Sequence, residues 1–103
     1  MGMDSYIDKI KRDPNDKNNI LERVELIYWR KFYEVNAVLG YGDNMYGKDL
    51  SLTKDEVKKI LQVVTYNRDY FGGFDTVPAV CDLYDMYDDY KADGWQIVFN
   101  SNW

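Results

Sequence analysis

Apolar residues along this chain recur mostly three and four positions apart, a spacing that predicts helices. Residues 4–12 place Tyr6, Ile7 and Ile10 on one side of a short helical arm. Asp13-Pro14-Asn15-Asp16 then breaks it, because proline cannot continue a helix and its neighbours favour turns. From Asn18 or Asn19 the pattern strengthens. Leu21, Val24, Tyr28, Phe32, Val35 and Leu39 form a stripe that Ile20, Ile27 and Val38 widen. This predicts a principal helix of roughly 20 residues, ended by Gly40, since glycine accepts the left-handed C-cap conformation. On it Trp29 and Tyr33 lie off the stripe, and Arg30 and Glu34 form an i,i+4 pair.

Gly40, Gly42 and Gly47, with Asp43 and Asn44, make residues 40–49 a loop. Leu50 and Leu52 alternate with polar neighbours, as in a short strand. Thr53 and Glu56 form a capping box, with Leu52 and Val57 placed as its hydrophobic staple. Val57, Ile60, Leu61 and Val64 follow as one apolar face, ending near Arg68. Gly72-Gly73, among Tyr66, Tyr70, Phe71 and Phe74, marks a flexible connection. Asp75 or Thr76 caps a third helix with Pro78 in its first turn, and Val80, Leu83, Tyr84, Tyr87 and Tyr90 can line its buried side. Gly94 ends that helix. Trp95, Ile97 and Phe99 then alternate with Gln96 and Val98 as a strand that can pair with residues 48–52. The expected architecture is α+β and mostly α-helical, with about three helices and a small antiparallel two-stranded ribbon resting on them. One domain spans residues 1–103, with residues 1–16 as a mobile or loosely packed N-terminal arm.

Charge narrows the function classes. The net charge is −5 and the pI near 4.6, which opposes direct nucleic-acid binding and docking on an anionic membrane. An acidic surface suits a basic protein partner, or simply solubility. Histidine is absent and Cys81 is the only cysteine, so Ser-His-Asp and Cys-His catalysis, the common zinc sites and internal disulfides are excluded. Beside Ala79, Val80 and Leu83, Cys81 reads as a small buried hydrophobe. Lys9, Lys11 and Arg12 interrupt any signal-peptide pattern and no stretch reaches membrane-spanning length, so a cytoplasmic location is expected.

Three groups of residues are candidates for binding. In Tyr28-Trp29-Arg30-Lys31, the two cations can hold an anion while Trp29 or Tyr33 stacks on an attached ring. A helix spreads four consecutive residues around its circumference, so the structural alternative buries Tyr28 and leaves Arg30 to Glu34. The second group is Asp82, Asp85 and Asp89, at i, i+3 and i+7 on one side of the third helix, with Asp88, Tyr84 and Tyr87 between them. Like charges at that spacing repel by a few tenths of a kcal/mol per close pair. Such a stripe either faces solvent or presents negative charge to something basic, in the manner of a phosphate backbone. The third is Trp103, which packs onto the fold or anchors a partner. The aspartates lack the twelve-residue calcium-loop pattern, and Gly40-Tyr41-Gly42 and Gly72-Gly73 lack the phosphate-loop spacing. No metal or cofactor is expected. No carboxylate pair is pinned across a cleft, so catalysis is not expected either.

Tyr28-Trp29-Arg30-Lys31, together with the aromatic-Asn100-Ser101-Asn102-Trp103 ending, resembles a family of small tailed-phage and prophage proteins of unassigned function. That family carries a YWRK helix, a Thr-Lys-x-x helix start, an aromatic and glycine-rich stretch, an acidic aromatic helix and a Ser-Ser-Trp-like tail. The corresponding pieces here are residues 28–39, 50–64, 70–74, 81–90 and 99–103. The family's Ile-His-x-Trp stretch is replaced by Val35-Asn36-Ala37-Val38, and its closing Ser-Ser-Trp by Ser101-Asn102-Trp103. The resemblance implies a phage origin and no defined activity. With the residues above, it leads to the expectation of a non-enzymatic accessory protein in the host bacterial cytoplasm. It would inhibit a basic or nucleic-acid-binding host protein, such as a defence nuclease, in an anti-CRISPR-like manner. Asp82, Asp85 and Asp89 would carry that contact, helped by Tyr84, Tyr87 or Trp103. The alternatives are a sponge for an anionic nucleotide signal, using Trp29, Arg30, Lys31 and Tyr33, and an oligomeric phage structural component.

Overall fold

A computed structural model describes residues 3–30, 32–69 and 76–103. Its framework is a four-stranded antiparallel sheet of β1 (Asp4–Asp13), β2 (Asp16–Arg30), β3 (Leu50–Ser51) and β4 (Gln96–Asn102), in the order β2-β1-β4-β3. The helices are α1 (Glu34–Leu39), α2 (Lys54–Tyr66) and α3 (Thr76–Ala92), with a single 3₁₀ turn at Asp43–Met45. The protein is therefore mixed α+β. It is not mostly helical with a two-stranded ribbon. The expected pairing of residues near 50 with the last strand is present, but as one half of a larger sheet.

The segment expected to be a helical arm is β1, hydrogen-bonded on both sides and holding Ile7 and Ile10 at 0% exposure. The segment expected to be the principal helix is β2, with only its tail helical as α1. Register shifts explain the misleading period. Ile7 pairs with Ile27 and Asp8 with Glu25, skipping Leu26; Lys11 pairs with Glu22 and Arg12 with Ile20, skipping Leu21. A bulge adds one residue, so side chains on the same face fall three apart instead of two. Val24 and Ile27 are such a pair, opposite Lys9 and Ile7. Much of residues 16–25 is also exposed on both faces, so no alternation marks the strand. The Pro14-Asn15 turn closes the hairpin.

One face of the sheet carries Ile7, Ile27, Trp29, Ile97 and Phe99 into the core, against Val57, Ile60 and Val64 of α2 and Val80, Leu83 and Tyr87 of α3. Ser5 and Ser101 pair through their buried hydroxyls at 3.1 Å on that face. The other face buries Ile10 and Val98 but is otherwise more polar: Tyr6 packs on Tyr28 at 5.1 Å between centroids, and Arg23 joins Asp8 to Asp49. Both expected bonds of the capping box form, Glu56 N–H to Thr53 Oγ1 and Thr53 N–H to Glu56 Oε1. Gly94, at φ +89°, ends α3 in a conformation that L residues with a side chain rarely adopt. Of the two expected caps for α3, Asp75 lies outside the described residues and Thr76 is its first residue; the Gly72-Gly73 connection also lies outside them. No described helix is long and apolar enough to cross a membrane.

Candidate functional site

α3 is anchored by Val80, Leu83 and Tyr87, and this decides which way its aspartates point. At 100° per residue, Asp82, Asp85 and Asp89 fall in a sector of about 60° on the side away from those anchors. All three are exposed, and none forms an ion pair among the described residues. Asp88 lies to one side, where it meets Lys54 Nζ at 2.8 Å. The hydrogen bond from Lys54 to Asp88 raises the lysine above its ordinary pKa, with the charge of Asp85 adding to the effect. Asp82 also borders a small cleft of about 170 Å³ with Leu26, Ile27 and Tyr90. Among the described residues no group of three or more acidic or cysteine side chains is placed to hold a metal ion.

The aromatic residues expected beside this stripe divide. Tyr84 is half-buried, with Lys54 Nζ 5.0 Å from its ring centroid. Tyr87 is buried and donates its hydroxyl to Leu52 O at 2.6 Å, so it ties α3 to the segment preceding α2. Trp103 lies beyond the far end of β4 from the C-terminus of α3. Trp95 N–H donates to Tyr90 O, fixing the start of β4 to the end of α3, and the seven residues of β4 then lead away. At about 3.3 Å per residue that is roughly 20 Å.

The alternative group also separates. Trp29 points into the core at 4% exposure, 6.0 Å between its ring centroid and that of Phe99, and its indole Nε1 has no partner among the described residues. Arg30 is a strand residue, so helical pairing with Glu34 is not available to it; its Nε lies 3.2 Å from Asp4. Lys31 lies outside the described residues. Tyr33 precedes α1 and is exposed.

Tyr33 and Trp103, from two different expected groups, come together in one cleft of about 260 Å³ with Met3, Asn36, Tyr41 and Asp43. Gly40, at φ +67°, turns the chain back after α1, and Tyr41 N–H then bonds Asn36 O at 2.8 Å. The Tyr41 hydroxyl donates to Lys48 O at 2.6 Å and accepts from Ser101 N–H at 3.2 Å, while its ring meets Phe99 edge-on. Trp103 stands edge-on to Tyr46 at 4.9 Å. Asn36, only 7% exposed, has a buried Oδ1 with no hydrogen-bond partner among the described residues. In the sequence, Tyr41 between two glycines was the available signal for this cleft, and its glycines read only as a turn. Asn36 gave none, because polarity inside an expected helix reads as a solvent-facing position.

No family model matches the chain, and neither a curated protein nor a solved structure does.

Proposed function

We propose that this chain is a non-enzymatic binding protein that docks a basic partner on the outward face of α3. One observation carries this: Asp82, Asp85 and Asp89 stand together in solvent, free of ion pairs among the described residues, while neighbouring Asp88 is engaged by Lys54. On a chain of net charge −5, such a stripe draws cationic surfaces over about one Debye length, roughly 8 Å at physiological salt. A nucleic-acid-binding protein offers the right complement, because its groove is built to receive a row of negative charges. Combined with the phage resemblance, the target becomes a host defence nuclease and the role an anti-CRISPR-like inhibitor acting in the bacterial cytoplasm. Tyr84, beside the stripe, supplies apolar contact at its margin.

Capture from bacterial lysate with the tagged protein, at low and moderate salt, tests this. A basic host protein retained at low salt and released as salt rises is the expected result. An empty capture, or one indifferent to salt, overturns it.

A second reading, self-association, is favoured by β2. It is the outer strand of the sheet, 15 residues long, with Leu21 58% exposed and Val24 also exposed. A long outer strand is a template for pairing with another copy. Light scattering showing a concentration-dependent dimer would support it.

A further inference from the structure

β2 is the outer strand of the sheet, paired with β1 on one side and with no strand on its other side among the described residues. α3 packs against it. Between the two lies a small cleft of about 170 Å³, lined by buried Ile27 and Leu83, half-buried Leu26, Ala79 and Tyr90, and exposed Asp82. Leu21 and Val24, earlier in the same strand, are exposed. The unpaired backbone donors and acceptors of an outer strand are a template for an added strand. A pocket beside such an edge takes one side chain of the incoming segment, and this selects which segment binds.

We propose, on the reading that this chain docks a basic partner, that an extended lysine- or arginine-bearing segment of that partner adds to β2 as a further strand. One aliphatic side chain of the segment enters the cleft. The cleft is well below the roughly 300 Å³ at which drug-sized pockets begin, so it fits one side chain. Its lining is apolar apart from Asp82 and the Tyr90 hydroxyl. Glu22 and Glu25 are exposed on the strand, and Asp82, Asp85 and Asp89 on the helix, so both elements that flank the path offer carboxylates to the segment's cations. The arginines of β2 are engaged elsewhere: Arg23 holds Asp8 and Asp49, and Arg30 lies beside Asp4. A second copy suits this edge less well. It would bring the same carboxylates and a net charge of −5, and the bulges at Leu21 and Leu26 twist the strand away from the flat geometry that two long edges need. A single extended segment can follow that twist.

The test is an NMR titration of the isotope-labelled full chain, to millimolar concentration, with an acetylated and amidated heptapeptide that alternates lysine and valine. Two controls run in parallel: the same peptide N-methylated at every backbone amide, and its glutamate-for-lysine analogue. The expected result is saturable shifts in the backbone amides from Leu21 to Tyr28 and at Ala79 and Asp82. The N-methylated peptide keeps the charge but donates no backbone hydrogen bond, so its affinity should be at least about tenfold weaker. Equal affinity for it, or shifts confined to Asp85 and Asp89, would mean that charge alone binds; strand addition is then overturned while docking of a basic partner on α3 stands. Equal affinity for the glutamate analogue overturns the basic character of the segment. Shifts along β2 that appear on concentrating the chain alone would make the occupant a second copy and overturn the assignment. No saturable shift with any peptide overturns it too, and capture from lysate then judges the basic partner separately.

Discussion

At the scale of single residues, burial gives polar groups their leverage. Among the described residues, Arg23 alone pairs with the side chain of Asp8, a carboxylate at 6% exposure whose second oxygen finds no partner among them. Burial works against the Arg23 charge, but its hydrogen bonds to Asp49 and Asp8 outweigh this and hold its pKa above the ordinary value. Arg23→Ala should destabilise the fold by roughly 1–3 kcal/mol, at the low end because the guanidinium is partly exposed. A urea midpoint unchanged from wild type would contradict this. Tyr87 makes a different demand. Burial first, then the charges of Glu56 and Asp88, raise its hydroxyl above the ordinary 10.0, and burial does the same for Tyr41. A raised value in the folded state means the folded chain keeps protons that the unfolded chain releases. The contribution is therefore complete below pH 10 and is lost as pH climbs through the folded values. Thermal melts should show stability falling above about pH 10, with a shallower fall in Tyr87→Phe. An identical slope in that variant would rule the attribution out.

At the scale of elements, local signals and tertiary ones diverge. The Thr53 and Glu56 capping box was legible because it is made by four consecutive residues, and Thr53→Ala should cost about 1 kcal/mol, measured by chemical unfolding. α3 was legible from its anchor spacing and from Gly94, and β4 from clean alternation between Trp95 and Phe99. β1 and β2 were not. Bulges opposite Ile7 and Lys11 put same-face residues at helical spacing, and the exposed outer half of β2 has no buried face to reveal its period. The outward stripe of α3 could be seen in the sequence once the anchors were placed. The cleft could not, because Met3, Asn36, Tyr41 and Trp103 are brought together by the turn at Gly40 and by pairing across the sheet.

At the scale of the whole molecule, β1 is central. It is paired along its length with β2 and over Asp4 to Ile10 with β4, and Ile7 reaches the main core. Removing residues 1–13 should abolish cooperative unfolding altogether, as followed by circular dichroism during thermal melting. A truncated chain that melted cooperatively near the wild-type midpoint would mean that these residues are peripheral. The same sheet positions α3 with its aspartates outward, and it carries the aromatic cleft at the end of β4 that lies away from the C-terminus of α3.

The account turns on the α3 face, and the most direct measurement is calorimetric affinity for the captured basic partner of the wild-type chain against Asp85→Lys/Asp89→Lys, on proteins matched for thermal midpoint. Both positions are exposed, so the fold should persist. The predicted result is loss of affinity by at least a hundredfold, equivalent to about 2.7 kcal/mol, with a wild-type affinity that weakens steeply as salt rises. Equal affinity in the folded double variant would contradict the account and move the contact elsewhere on the protein.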